Sequence, residues 1–388
     1  MALPLRYNFR NVVVRWRSTL ATIGGIALVV AVYVGVQSLA AGLEKSSGNT
    51  GDARNWLIVR RGANAESGSQ LTREQFNLLR YADEIARESD GTALISPDVV
   101  VVLNLPRTDA SKGDANVTIR GTGPAGLALR PQVHLVEGRW FTPGSREIVV
   151  SKKLAGRFGS MNIGDTLRSG ARSMKVVGWF DGGGSAFDSE AWMAVDDVRA
   201  LFDRDVYSSI LLRESSLEAG ETLQKRLENE PRLTVHVLRE TRYYAEQTQA
   251  AGPIKFLGNF LAVMMSVGAV FAAMNTMYAS VGARTREIGT LRVLGFRRRS
   301  VLFGILLEGG ILALIGGVLG CAIAFQVNGI TTGTIGFESF SEIVFQFQVT
   351  PQLVAKGLVF SVVVGVLGSL LPALRASRLP VISALKSV

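Results

Sequence analysis

The amino-acid sequence predicts an α-helical membrane protein with four transmembrane helices plus an α+β extracytoplasmic domain placed between the first two. Three observations predict it. Four apolar stretches are each long enough to cross about 30 Å of hydrocarbon, which takes about 20 helical residues. The net charge of +10 is unevenly placed: residues 41–253 hold 27 Lys+Arg and 28 Asp+Glu, and the remainder holds 15 and 4. Segment 41–253 also carries two strand–helix–strand patterns on either side of a glycine-punctuated, strand-rich stretch. An apolar content of 47% with 19% charge fits such a mixture better than a wholly soluble or wholly embedded chain.

The spans are expected at 18–40, 256–283, 301–327 and 353–374. A secretory leader would have a shorter apolar region than the first of these. Basic residues mark one side of the membrane. Arg6, Arg10, Arg15 and Arg17 precede the first span. Arg284, Arg286, Arg292, Arg297, Arg298 and Arg299 lie between the second and third, and Arg375, Arg378 and Lys386 follow the fourth. The short outer loop 328–352 has Glu338 and Glu342 and no Lys or Arg. The positive-inside rule then puts both termini in the cytoplasm and 41–253 outside. The basic excess belongs to membrane-proximal segments, contacts membrane lipids and excludes a nucleic-acid partner. Residues 1–17 alternate Leu5, Phe9, Val12, Val13 and Trp16 with arginines, as an amphipathic helix on the inner surface does. Small residues repeat every fourth position at Gly357, Ser361, Gly365 and Ser369, and at Gly316, Gly320 and Ala324. Such lines let helices approach closely, within one chain or between two.

In the outer segment, 55–60 and 99–103 read as strands, with a helix over 72–87 between them. Strands over 208–212 and 233–238 flank a helix over 217–227. These two βαβ units, in 41–105 and 206–253, close naturally as a split ferredoxin-like, porter-like domain. The β-rich insert, 106–205, has short strands at 117–120, 147–151, 165–168 and 174–180. A helix over 240–251 leads toward the second span. The lone cysteine, Cys321, lies in an apolar run, so no disulfide holds the outer domain.

Catalytic signatures are missing. No G-x-x-x-x-G-K-[ST] occurs, and no H-E-x-x-H. His134 and His236 stand apart from any cysteine or carboxylate cluster, so no metal site is expected. Gly121, Gly123 and Gly126 form a G-x-G-x-x-G after a strand, but Pro124 and the short run to Pro131 make a glycine turn rather than a dinucleotide site. Gly182-Gly183-Gly184-Ser185 does not fit G-x-S-x-G.

The mechanically suggestive part is 284–300. Ile288, Leu291 and Leu294 recur at three-residue spacing and are expected to share a helix face, and Gly295 to end the helix in the left-handed conformation. A short amphipathic helix of this kind suits docking into a groove on a partner. Glu308 is the sole acidic residue inside a span. Pairing with an arginine of the preceding loop, fixing that loop's angle, is preferred to a proton relay because no second acidic residue lies in the spans.

The stretch ARTREIGTLRVLGFRRRSVLFGILLEGGILALIGGVLG and the terminal GSLLPALRASRLPVISALKSV resemble the FtsX-like permease domain of MacB-type ABC transporters. REIVVSKKLAGRFGSMNIGDTLRSGARSMKVVGWF resembles the MacB-type periplasmic core domain. The resemblance implies a permease subunit that is not itself an enzyme. It binds no cofactor; a separate ABC ATPase subunit holds ATP and Mg. A second permease copy and a possible periplasmic adaptor protein are implied as partners. It further implies that Arg284, Arg286, Glu287, Ile288, Gly289, Leu291, Arg292, Leu294 and Gly295 form the ATPase-coupling helix, and that ATP-driven motion reaches the outer domain by mechanotransmission, for export or extraction of substrate. An FtsX-like regulatory transmitter controlling a cell-wall hydrolase, and a lipoprotein-releasing permease, are the alternatives.

Overall fold

A computed structural model describes residues 16–108, 113–230, 232–247, 251–335 and 341–378, and most of the amphipathic segment 1–17 and of the tail 375–388 falls outside them. The chain forms two bodies: a helical one (up to Ala41, Pro253–Ile330 and from Phe347 on) and an α+β one (Gly42–Gly252 with Thr331–Gln346).

Helix α1 (Trp16–Gly48) opens the described chain. In the α+β body, β1 (Asn55–Arg60), α2 (Arg73–Leu79) and β2 (Ile95–Pro106) make the first βαβ unit. Helix α2 is shorter than the expected 72–87. Thr72 and Gln75 form a reciprocal capping box at its start. It ends at Leu79, with Arg80 N–H donating to Phe76 O, so Ile85, whose apolar side chain had counted toward the helical stripe, lies beyond it. Ile85 instead bridges to Glu214, with Ala86 N–H donating to Arg213 O at 2.9 Å.

The insert follows as β3 (Asp114–Thr122), the single turn α3 (Pro124–Ala128), β4 (His134–Gly138), β5 (Glu147–Ser151) and α4 (Lys152–Ala155). Next come β6 (Thr166–Ser169), β7 (Arg172–Asp181), β8 (Glu190–Ala194) and α5 (Val195–Phe202). Strands β4 and β8 and helix α5 have no counterpart among the sequence expectations. The second unit is β9 (Ser209–Arg213), α6 (Leu217–Asn229) and β10 (Val235–Arg239), and α7 (Glu240–Gln247) follows.

The strand order β10-β1-β9-β2, all antiparallel, is that of a ferredoxin-like sheet. It does not stop at the insert. Strand β2 pairs with β9 through Ile95–Asp98 and with β3 through Val99–Pro106, so the order continues β3-β8-β5-β7-β4, with β6 on β7. One long strand therefore crosses the expected boundary at residue 105 and joins both parts into a single ladder. Strand alternation sends Trp56, Ile58, Val101, Ile148 and Ile210 into one core and Leu57, Val59, Val149 and Leu211 into another. Burial on both faces is why these strands read as unbroken apolar runs.

The helical body is built from α1, α8 (Ala251–Ala283), α9 (Thr285–Val293), α10 (Arg298–Phe325) and α11 (Pro351–Arg378). Four of these are long and apolar enough to cross a membrane: Thr19–Gly48, Lys255–Ala283, Arg298–Phe325 and Pro351–Arg378. Helix α11 runs past the expected 374 to Arg378, with Pro372 inside it. The expected loop 328–352 contains a hairpin, β11 (Thr331–Ile335) and β12 (Glu342–Gln346), which belongs to the α+β body.

The small-residue lines pack within the chain. A methyl group on Gly316 would sit 2.9 Å from Ile23 O, and one on Gly320 would reach Ala27 O, so this face of α10 lies on α1. A second line on α10 meets α11. Gly309 faces Ser369, Ala313 faces Gly365, Gly317 faces Ser361 and Cys321 faces Gly357, an antiparallel seam advancing four residues at each step. The serine hydroxyls turn back on their own helix, Ser369 donating to Gly365 O at 2.7 Å and Ser361 to Leu358 O at 2.8 Å. Backbone proximity with internally satisfied hydroxyls is how small residues join helices where no hydrophobic drive exists.

Candidate functional site

The connection between α8 and α10 is an elbow. Helix α8 ends at Ala283, α9 occupies Thr285–Val293, and Arg297 precedes α10. Two features fix α9. At its start, Arg284 donates from Nη1 and Nη2 to the two carboxylate oxygens of Glu308, both at 2.9 Å. Both side chains are largely buried, 11% and 6% exposed. This is the fork-to-fork arrangement that fixes angle as well as distance. The pairing expected for Glu308 is thus present, and its partner is the first residue of the elbow. At the other end, Gly295 has φ +89°, Phe296 N–H donates to Leu291 O and Gly295 N–H to Arg292 O, each at 3.2 Å. That double closure is a Schellman ending, and the expected left-handed glycine supplies it.

The apolar face of α9 differs from the expectation. Ile288 is 6% exposed and packs with Met277, Val281, Val301, Ile305, Ala373 and Ala376. Gly289 is buried and Leu291 and Arg292 are half-buried. Leu294 falls beyond the last helical turn and is 69% exposed, beside Val293 at 60%. Ile288, Leu291 and Leu294 therefore do not present one outward face. The first holds the elbow to α8, α10 and α11, and the outward surface consists of Arg286, Glu287, Val293 and Leu294 with Arg297, Arg298 and Arg299. Three-residue spacing gave the period but not which side was already occupied. A small space of about 30 Å³ is left between α9 and the spans, lined by Met277, Arg284, Ile288 and Glu308 among others.

The α+β body holds a second concentration of charge that spacing did not reveal. Arg120, 1% exposed, donates to Glu66 at 2.9 Å, to Glu190 at 2.7 Å and to Asp98 at 3.3 Å. Arg130, fully buried, donates to Asp98 at 2.6 Å and lies 3.7 Å from Glu240. Both guanidinium groups lie over the Phe187 ring. Glu240 also accepts from Asp52 N–H at 3.0 Å and from Asn55 Nδ2 at 2.8 Å, and the Tyr243 hydroxyl accepts from Glu66 N–H at 2.9 Å. The segments that leave α1 and enter α7 are thereby tied to one buried cluster.

Burial pushes the Glu66 carboxyl up, but Arg120 and the Ser209 hydroxyl outweigh it and hold it at about 2. Arg139 holds Glu147 at about 2 as well. Burial raises Glu240, against the pull of Arg130. For the two lowered carboxyls the stability is fully present above the ordinary carboxylate pKa and is lost as pH falls toward 2. Glu240 contributes the opposite sign. The α+β body is expected to lose stability between pH about 4.5 and 2, the buried Glu66 contributing up to ~1.4 kcal/mol per pH unit and Glu147, whose partner Arg139 is 55% exposed, contributing less. Tryptophan fluorescence of the detergent-solubilised protein, followed against pH at fixed denaturant, measures it.

His134 is exposed, and His236 pairs with Glu228 at 2.9 Å. Among the described residues no three His, Cys, Asp or Glu are grouped to hold a metal. Gly121 lies in β3, and only a five-residue turn follows Gly123. The N–H groups of Gly182 and Gly184 donate to Asp188, which also accepts from Lys153 at 2.6 Å, so that loop is filled by its own carboxylate.

Fold and site together define a multi-pass membrane protein with a large inserted domain and an ion-pair-braced elbow between its middle helices. The chain belongs to the MacB/FtsX-like family of ABC transporter permeases. The model of the MacB-like periplasmic core domain matches residues 19–230, and that of the FtsX-like permease C-terminal domain matches residues 259–381. It is 26% identical over 295 residues to the uncharacterized ABC transporter permease YknZ of Bacillus subtilis, covering 70% of each chain. It is 24% identical over 399 residues to the macrolide export ATP-binding/permease protein MacB of Bdellovibrio bacteriovorus, covering 93% of this chain and 58% of that protein. The crystal structure of the periplasmic region of MacB from Actinobacillus actinomycetemcomitans aligns with 50% of this chain and 92% of its own, at 16% identity and a TM-score of 0.38. At that score the fold assignment rests on the strand order above. Four apolar helices and a periplasmic-type domain fit an inner-membrane protein.

Proposed function

We propose that this chain is a transporter permease whose elbow, Arg284 to Gly295, docks a separate ABC ATPase subunit, and that ATP binding and hydrolysis there move the α+β domain by mechanotransmission. ATP and Mg belong to the partner, and no nucleotide chemistry is assigned to this chain. The observation that carries the reading is the bidentate Arg284–Glu308 bond: it makes a short helix rigid with the spans, so force applied to α9 is delivered to α10 rather than absorbed by a loop. The exposed pair Val293 and Leu294, ringed by arginines, offers an apolar contact with a basic rim to a groove. The distribution of basic residues supports placing the elbow and both termini in the cytoplasm and the α+β domain outside. A second copy of the permease and a periplasmic adaptor complete the proposed assembly, and membrane lipids surround its spans.

The test uses the full chain co-expressed with its ATPase. Replacing Leu294 by Asp is expected to weaken ATPase capture about tenfold or more, since burying one leucine contributes about 1.5–3 kcal/mol. Equal co-purification after Leu294→Asp combined with Val293→Asp would remove the elbow as the docking point. Ile288→Asp is the wrong probe, because that side chain is already committed inside the helical body.

A further inference from the structure

The hairpin β11–β12 carries a buried ionic grip that none of the preceding argument uses. Glu342 has no exposed side-chain surface. Its Oε2 lies 2.7 Å from Arg107 Nη2 and its Oε1 lies 2.7 Å from Arg157 Nη2. Arg107 stands just beyond the end of β2, and Arg157 follows α4. The two are aligned through their backbones: Arg107 bridges to Phe158, and Thr108 N–H donates to Arg157 O at 3.0 Å. Gly333, on the facing strand, leaves the room. The Glu342 carboxylate occupies the place where a Cβ at Gly333 would lie. Two residues on, Val344 N–H donates to Ser189 Oγ at 2.7 Å, and the Val344 side chain enters the domain core.

A buried carboxylate between two guanidinium groups is a costly way to gain stability, because desolvation offsets most of the attraction. What it gives is a unique position that shifts only by exposing an unpaired charge. The hairpin is joined by covalent chain to α10 through 326–330 and to α11 through 347–350. Within the helical body, Phe347 N–H donates to Ile330 O and Gln348 N–H to Ser38 O, both at 3.1 Å. Both ends of the hairpin are therefore short and held.

We propose that Glu342 is a positioning residue for force transfer: with Arg107 and Arg157 it fastens the segment between the third and fourth spans into the α+β domain. Movement of α10 and α11 then reaches that domain through its own connection, in addition to the connections after α1 and before α8. This rests on the mechanotransmission reading.

The experiment uses full-length protein with its ATPase in nanodiscs. Spin labels are placed at the exposed positions Leu217 and Leu319 in a Cys321→Ser background, and their separation is measured with and without ATP. The unmodified protein is expected to show an ATP-dependent change in separation. E342A, and the isosteric E342Q should E342A fail to fold, are expected to bind the ATPase and hydrolyse ATP at the unmodified rate while that change is reduced. A purely structural role would lower the melting temperature without separating hydrolysis from motion. A change in separation that is undiminished in E342A or E342Q overturns the proposal and leaves the mechanotransmission reading intact. No change in the unmodified protein, despite ATPase binding, removes both.

Discussion

Arg120→Met is expected to cost the α+β domain about 3–5 kcal/mol, the usual result of removing one partner from a buried ionic cluster. Arg120 stands among Glu66, Asp98 and Glu190, each buried, and without it these three carboxylates face one another with only Arg130 nearby. Methionine fills most of the volume, so the loss reads charge rather than cavity. Chemical denaturation of the full-length protein, followed by tryptophan fluorescence, gives the number. Trp192 is a direct reporter, since its Nε1 donates to Glu190 at 2.7 Å. Adding Glu190→Leu to Arg120→Met is expected to recover part of the loss, because one unpaired charge goes with it. A midpoint unchanged by Arg120→Met would show that the cluster is solvated in solution and that its ties to Asp52, Asn55 and Tyr243 do not hold the domain's connections in place.

Glu308→Ala is the second large effect. It leaves the Arg284 guanidinium, 11% exposed, without either of its two bonds at the base of α9. A cost of about 3 kcal/mol to the helical body is expected, measured as a drop in the thermal midpoint of the detergent-solubilised protein. The effect on coupling is separable from the effect on stability. Arg284→Met with Glu308→Leu removes both charges and keeps an apolar contact. This pair is expected to recover most of the stability while leaving the angle of α9 unfixed, so ATPase capture persists and transport falls. Full transport by the apolar pair would mean that the elbow needs only packing, in which case Ile288 and its neighbours, not the ion pair, set its angle.

Much of this architecture could be read from residue order because it depends on local physics. A span is recognisable because lipid leaves a helix no other way to satisfy its backbone, so 20 apolar residues suffice to identify it. Strands β1 and β5 were delimited to the residue, since their apolar runs are bounded by charged or glycine-rich turns. Gly295 was legible for the same reason: only glycine takes a left-handed ending without strain, and the helix before it was short. Glu308 was legible because a carboxylate in a span must have a partner, and the arginines of the elbow were the ones within reach.

What the chain order alone did not decide was which surfaces meet. The small-residue line at Gly316 and Gly320 and the one at Gly357 to Ser369 were each visible, but they do not face each other. The first lies on α1, and the second meets a line through Gly309, Ala313, Gly317 and Cys321. Period specifies a face and is silent about its occupant, and so Ile288, at the right spacing for docking, proved to be inside. The same limit hid Arg120, Arg130 and Glu342, whose partners lie 22 to 235 residues away and share no spacing rule. Burial of an arginine is decided by whether carboxylates from distant strands converge on it, and only the closed sheet brings them there.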